Sequence, residues 1–108
     1  MLEFSSATDS VESFGNLSVN YGKEGVFVGE VSLHLTSKEY LVLELTVLLR
    51  PDTVSKEAYL DYLYRGINEP ELKIIDVFMC KLRKKLRAAA DADFIENVWG
   101  RGYKFKFT

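Results

Sequence analysis

Hydrophobic and polar positions along the chain change period twice. From Phe14 to Leu35, short β-prone pieces (FGNLSVN, VFVG, VSLHL) are punctuated by Gly15, Gly22, Gly25 and Gly29, the pattern of a small antiparallel sheet. At Thr36 the period becomes helical. Thr36–Ser37–Lys38–Glu39 has the form of a capping box, with Leu35 and Tyr40 at staple positions. Leu41, Leu45, Leu48 and Leu49 then read as the apolar stripe of a first helix that Pro51 ends. Ser55 starts a second helix, with Val54 and Tyr59 again placed as a staple and Leu60 and Leu63 inside it. Arg65–Pro70 (RGINEP) is a Gly/Asn/Pro loop. A third helix is predicted from Glu71 to about Ala90, with Glu71 and Arg87 placed to suit the helix dipole. The runs FIENVW and YKFKF, joined by Gly100–Arg101–Gly102, form a hairpin signal. Residues 1–13, Ser-rich and without period, read as a linker or cloning remnant, and residues 14–108 as one domain.

Sheet, three helices and hairpin, in that order, predict an α+β fold. It has an N-terminal antiparallel sheet, two short helices with a tight loop, a long third helix and a C-terminal wing: a winged helix-turn-helix. At 100° per residue, Leu72, Ile75, Met79, Leu82 and Leu86 fall within about 80° of arc and form the core stripe of the third helix. Lys73, Val77, Cys80, Lys81 and Lys84 lie opposite, with Ile74 and Lys85 at one margin and Asp76, Arg83 and Arg87 toward the other.

Charge sharpens this picture only when it is split by position. The 108 residues carry a formal charge of −2, which taken whole argues against a polyanionic partner. Residues 1–70 carry −6 and residues 71–108 carry +4. Lys73, Lys81, Arg83, Lys84, Lys85 and Arg87 are opposed within their own segment only by Asp76. A cationic face alone reads more readily as a solvated surface. Here Val77, Ile74 and Cys80 stand among the lysines, and that mixture suits the DNA major groove. Long cations reach phosphates and guanine acceptors, and small apolar groups meet thymine methyls. With no Arg, Asn or Gln at the centre of the face, the expected preference is for A/T-rich sites.

The hairpin tip places Arg101 between two glycines, able to enter a narrow A/T minor groove; the competing reading is an ordinary exposed turn residue. Tyr103, Phe105 and Phe107 alternate with Lys104 and Lys106, giving one packed and one cationic strand face. Trp99 and Tyr64 read as core aromatics, with phosphate contact as the alternative, and His34 as a packed strand residue.

Other chemistry finds little support. No apolar run is long enough for a membrane span, and no secretory leader opens the chain. One Cys and one His exclude a disulfide framework and a protein-only zinc site. Asp76 and Glu96 have no partner carboxylate, and no Gly-rich turn precedes a helix start with a Lys, so neither catalysis nor a cofactor is expected. The rival to DNA is a winged-helix protein-interaction module that docks an acidic partner on the same face.

The stretch from Phe14 to Phe107 resembles the OmpR/PhoB-type effector domain of bacterial two-component response regulators. The resemblance is carried by LTSKEYLVLEL at Leu35–Leu45, VSKEAYLDYLY at Val54–Tyr64, IIDVFMCKLRKKL at Ile74–Leu86 and VWGRGYKF at Val98–Phe105. It implies a four-stranded N-terminal sheet, a third helix in the major groove, a wing, and a receiver domain in the full-length protein. Implied groove-facing residues are Lys73, Ile74, Val77, Phe78 and Lys81. Backbone contacts fall on Tyr64, Cys80, Arg83 and Lys84, and wing contacts on Asn97, Trp99 and Arg101. Cys80 stands where the wider family carries a cation. The loop residues Arg65, Ile67, Asn68 and Glu69 match the segment that touches the RNA polymerase sigma subunit. The resemblance further implies TTAA-like direct-repeat sites, tandem dimers on double-stranded DNA, a cytoplasmic, nucleoid-associated location, and transcriptional control that extends to the cell cycle.

Overall fold

The computed structural model describes residues 10–106. Four short strands, β1 (Val11–Phe14), β2 (Leu17–Asn20), β3 (Gly25–Val28) and β4 (Val31–Ser32), form an antiparallel meander in that order. Helices α1 (Ser37–Leu48), α2 (Lys56–Tyr64) and α3 (Ile74–Ala90) follow, and β5 (Ile95–Val98) pairs with β6 (Gly102–Phe105) as a hairpin. The α+β winged helix-turn-helix expected from the pattern is the fold observed. No helix among the described residues is long and apolar enough to cross a membrane.

One boundary moves. Val11, Glu12 and Ser13, read as part of a linker, pair with Asn20, Val19 and Ser18. Arg50 fixes this strand from the other side. Its Nη2 lies 2.8 Å from Glu12 Oε2 and its guanidinium carbon lies 4.9 Å from the Phe14 ring centroid. A Ser-rich text hid a strand that is anchored by partners distant in sequence. The rest of the stretch, residues 1–9, lies outside the described residues, as does Phe107.

The helix caps are as the sequence predicts. The Thr36 hydroxyl accepts from the Glu39 backbone N–H at 3.2 Å, and Glu39 Oε1 accepts from the Thr36 N–H at 3.0 Å. Ser55 Oγ accepts from the Ala58 N–H at 3.1 Å. The stripe predicted for α1 is corrected. Leu45 is buried, but Leu48 and Leu49 are 50% and 42% exposed, while Tyr40, Val42, Leu43, Thr46 and Val47 are buried. This helix packs against α2, α3 and β6 together, so it is enclosed on most of its circumference and has no single apolar face to read. His34 is exposed in the connection before α1, not packed in a strand. Helix α3 begins at Ile74, three residues after the expected Glu71, because residues 71–73 form a tight turn in which the Ile74 N–H donates to the Glu71 carbonyl.

The N-terminal sheet and the C-terminal hairpin close one core. Phe14 meets Phe105 edge to face with centroids 4.8 Å apart, and Phe94 stacks on Phe105 at 6.1 Å. Beyond its hairpin partner, β6 makes a two-bond bridge to the entrance of α2. The Val54 N–H donates to the Tyr103 carbonyl at 2.7 Å, and the Tyr103 N–H donates to the Val54 carbonyl at 3.0 Å. The wing is therefore tied to the helix-turn-helix by backbone as well as by side chains.

Candidate nucleic-acid interface

Ile75, Met79, Leu82 and Leu86 are fully buried and set the rotation of α3 on the core. That rotation turns Lys73, Val77, Cys80, Lys81 and Lys84 outward, all of them exposed. Val77 is 43% exposed among cations, and Cys80 is a free, exposed thiol. Ile74 and Phe78, expected to face a groove, sit half-buried at the margins and pack against the core cluster.

The basic stripe is less uniform than its sequence. Lys73, Lys81 and Lys84 make no ion pair within 4.0 Å among the described residues. Lys85 turns back to the protein, where its Nζ donates to Glu39 Oε1 at 2.7 Å and to the His34 carbonyl at 3.0 Å. Arg83 and Arg87 lean on Asp93, with Nη···Oδ separations of 3.3 and 3.9 Å. Half of the run is thus compensated by partners outside it. Sequence reading missed this because Asp93 lay in an acidic AAADAD stretch with no visible partner.

On the hairpin, Trp99 is 87% exposed, so its reading as a core aromatic is overturned. Tyr103 is buried in the core and Val98 half-buried, and the turn leaves the indole outward beside exposed Asn97 and Arg101. Gly100, with φ of +72°, supplies the left-handed residue that this turn needs. Gly102 serves a different end. A Cβ on it would stand 1.9 Å from the Val54 carbonyl oxygen, so only glycine admits the bridge between wing and α2. Tyr64, at the end of α2, is half-buried with the Lys38 Nζ 4.7 Å above its ring centroid.

Asp76 connects these parts. Its Oδ1 accepts from the Tyr103 hydroxyl at 2.5 Å and its Oδ2 from Lys56 Nζ at 3.0 Å, joining β6, α2 and the first turn of α3. Burial pushes the Asp76 carboxyl upward. The bond from Tyr103, the bond from Lys56 and the ammonium charge outweigh it and hold the group below the ordinary aspartate value. Burial, then the same hydrogen bond, pushes the Tyr103 phenol upward. A cleft of about 470 Å³ opens beside this cluster, between Lys56, Leu72, Asp76, Asn97 and Arg101. Neither Lys56 nor Tyr103 stood out in the sequence as a partner of Asp76, since the contacts span 20 and 27 residues.

Between α2 and α3 the loop projects Ile67, 67% exposed, with Arg65, Asn68 and Glu69 exposed around it. Arg65, Gly66 and Asn68 all take positive φ there. Among the described residues no group of three His, Cys, Asp or Glu side chains is placed to hold a metal.

Residues 29–105 match the family model described as "Transcriptional regulatory protein, C terminal". The chain is 54% identical over 95 residues to the cell cycle response regulator CtrA of Brucella ovis, and equally to that of Brucella abortus (strain 2308), covering 87% of this chain and 41% of each relative. It therefore spans about two-fifths of the length of the curated relatives it matches. Among solved structures, the Klebsiella pneumoniae RstA DNA-binding domain in complex with the RstA box superposes with a TM-score of 0.75 at 26% identity, covering 89% of this chain and 96% of that one. The DNA-binding domain of CpxR from E. coli gives 0.76 at 25% identity, covering 89% and 95%.

Proposed function

Because the chain belongs to the family of transcriptional regulatory C-terminal domains of OmpR/PhoB type, we propose that it is the DNA-binding output module of a response regulator and that α3 enters the major groove while the β5–β6 wing meets the adjacent minor groove. A domain of this family is a binding module and not an enzyme. One observation carries the reading. Lys73, Lys81 and Lys84, without ion-pair partners among the described residues, surround exposed Val77 and Cys80 on one helix face, and exposed Arg101 and Trp99 flank it on the wing. The lysines supply phosphate neutralisation, Val77 and Cys80 meet thymine methyls, and Arg101 takes the narrow minor groove of an A/T flank. Arg83 and Tyr64 are read as backbone contacts and Asn97 as a wing contact, and Ile74 and Phe78 line the edges of the reading face.

The sites are A/T-rich, TTAA-like direct repeats read by two tandem copies, and similarity to the cell cycle regulators supports a role in that programme. The full-length protein carries a receiver domain, as the response regulators it resembles do, and acts in the bacterial cytoplasm on the nucleoid. The loop of Arg65, Ile67, Asn68 and Glu69, with its exposed isoleucine, is the surface for the polymerase sigma subunit. A gel shift on TTAA direct repeats against a scrambled duplex of the same composition tests the reading. Preferential shift of the repeats is expected. Equal or absent shift would overturn it and favour docking of an acidic protein on the same face.

A further inference from the structure

Asp93 is a single carboxylate faced by three cations, two on α3 and one just after β6. Arg83 Nη2 lies 3.3 Å from it, Lys106 Nζ 3.8 Å and Arg87 Nη1 3.9 Å. These separations all exceed the 2.7–2.9 Å of a well-formed charged hydrogen bond. The cluster keeps a local surplus of two positive charges, and its donors are under-used: Arg83 Nε is buried without a hydrogen-bond partner. Arg83 and Arg87 also line a shallow groove with Cys80 and Tyr103, between the outer face of α3 and the wing. A duplex that takes α3 in its major groove and the wing tip in its minor groove must lay the intervening phosphate strand over that gap.

We propose that Arg83, Arg87 and Lys106 form a clamp for one DNA backbone phosphate, and that Asp93 is its built-in competitor, positioning the cations while occupying them. This rests on the DNA-binding reading above and adds a residue that sets affinity without touching DNA. A phosphate oxygen accepts from Arg83 better than a carboxylate held at 3.3 Å, so binding exchanges one acceptor for another, and Asp93 lowers the gain. The contact carries no base information, so its strength is the same for every sequence.

The test compares Asp93→Asn with Asp91→Asn, an equal change of charge two residues away at an exposed helix cap that no cation contacts among the described residues. Both are titrated, with the unsubstituted protein, against the TTAA repeat and the scrambled duplex from 50 to 300 mM salt. Urea midpoints verify folding, and Asp93→Ser serves as a second neutral variant. Asp93→Asn should bind both duplexes roughly five- to tenfold more tightly near 0.1 M salt, with a log–log salt slope steeper by about 0.9, the signature of one more phosphate neutralised. Asp93→Glu should restore the original slope. Equal gains from Asp91→Asn and Asp93→Asn would reduce the effect to net charge and overturn the proposal, as would a loss of affinity in Asp93→Asn or a gain confined to one duplex. No shift of either duplex by the unsubstituted protein would instead overturn the DNA-binding reading.

Discussion

The Tyr103 hydroxyl donates a 2.5 Å hydrogen bond to Oδ1 of Asp76, so the last strand of the wing holds the first turn of the exposed helix. Asp76 sits one residue before Val77, and Tyr103 two residues after Arg101. The pair therefore links the surface that would read a major groove to the strand that carries the tip that would read a minor one. Lys56 completes it from α2, and an acidic group in the first turn of α3 also suits the helix dipole.

Tyr103→Phe removes the hydroxyl while the ring keeps its edge contact with Tyr59, 6.3 Å between centroids, and Asp76 keeps Lys56. The expected loss of stability is modest, about 1 kcal/mol. The larger effect should fall on recognition. Preference for an A/T flank beside the half-site should shrink because the wing is no longer held at a fixed angle to α3. Urea unfolding and paired titrations on A/T- and G/C-flanked half-sites measure the two effects. Unchanged flank preference would show that the backbone bridge to Val54 alone aligns the wing.

Gly102→Ala should be severe. The new Cβ would lie 1.9 Å from the Val54 oxygen and 2.8 Å from its carbonyl carbon, and φ at this position is +138°. Both contacts are backbone and cannot swing aside, so the wing must leave α2 or the bridge must break. A cost of at least about 3 kcal/mol combines strain with overpacking. Gly100→Ala, with φ of +72° and open space around it, should cost only about 1 kcal/mol. Urea midpoints of the two variants should differ clearly, and equal midpoints would show that the bridge is not needed.

These two glycines show where the sequence was legible. Both stand in the same three-residue text, and both read as turn residues, yet one permits a turn and the other a close approach to a segment 48 residues earlier. The helices, their caps and the hairpin were readable because capping boxes, staples and turns are local. The outer face of α3 was readable because its period is strong. Exposed Leu48 and Leu49, the strand at Val11 and the pairing of Arg83 and Arg87 with Asp93 were not, since each depends on elements far along the chain. Trp99 was misread for the opposite reason: a large aromatic in a small domain is usually core, and here the turn geometry overrides that tendency.

Glu39 supplies a pH dependence. The side chain is 2% exposed, and its Oε1 accepts both from Lys85 and from the Thr36 N–H. Burial pushes its carboxyl up, but the bonds from Lys85 and Thr36, with the nearby ammonium charges, hold it below the ordinary value of 4.5. A lowered folded value means stability that is fully present above pH 4.5 and lost as pH falls through the folded value. Lys85→Ala removes the strongest group opposing burial, leaving the Thr36 N–H bond and the Lys81 charge, and raises that value. It should cost about 1–2 kcal/mol at pH 7, discounted because Lys85 is 38% exposed. The difference from the unsubstituted protein should shrink as pH falls below the ordinary value of 4.5 and through the folded one. Urea denaturation at pH 7 and at pH 3 tests it; a difference independent of pH would assign the loss to packing of the lysine stem.

Salt dependence separates the free cations from the paired ones. Lys73, Lys81 and Lys84 lack ion-pair partners among the described residues, whereas Lys85 is committed to Glu39. With Arg101 and Lys104 from the wing, about five phosphates are within the reach of uncommitted cations, which predicts a log–log slope near −4.5 and an affinity loss of roughly 10²–10³ between 50 and 200 mM salt. Lys81→Ala should then distinguish its two possible roles. If the ammonium reads a base edge beside Val77, affinity for the TTAA repeat should fall about tenfold or more and the scrambled duplex should change far less. A uniform loss on both duplexes with the slope reduced by about 0.9 would make it a phosphate contact. Because Lys85 is tied to the protein, Lys85→Ala should leave the slope unchanged, and a reduced slope there would show that DNA draws it away from Glu39.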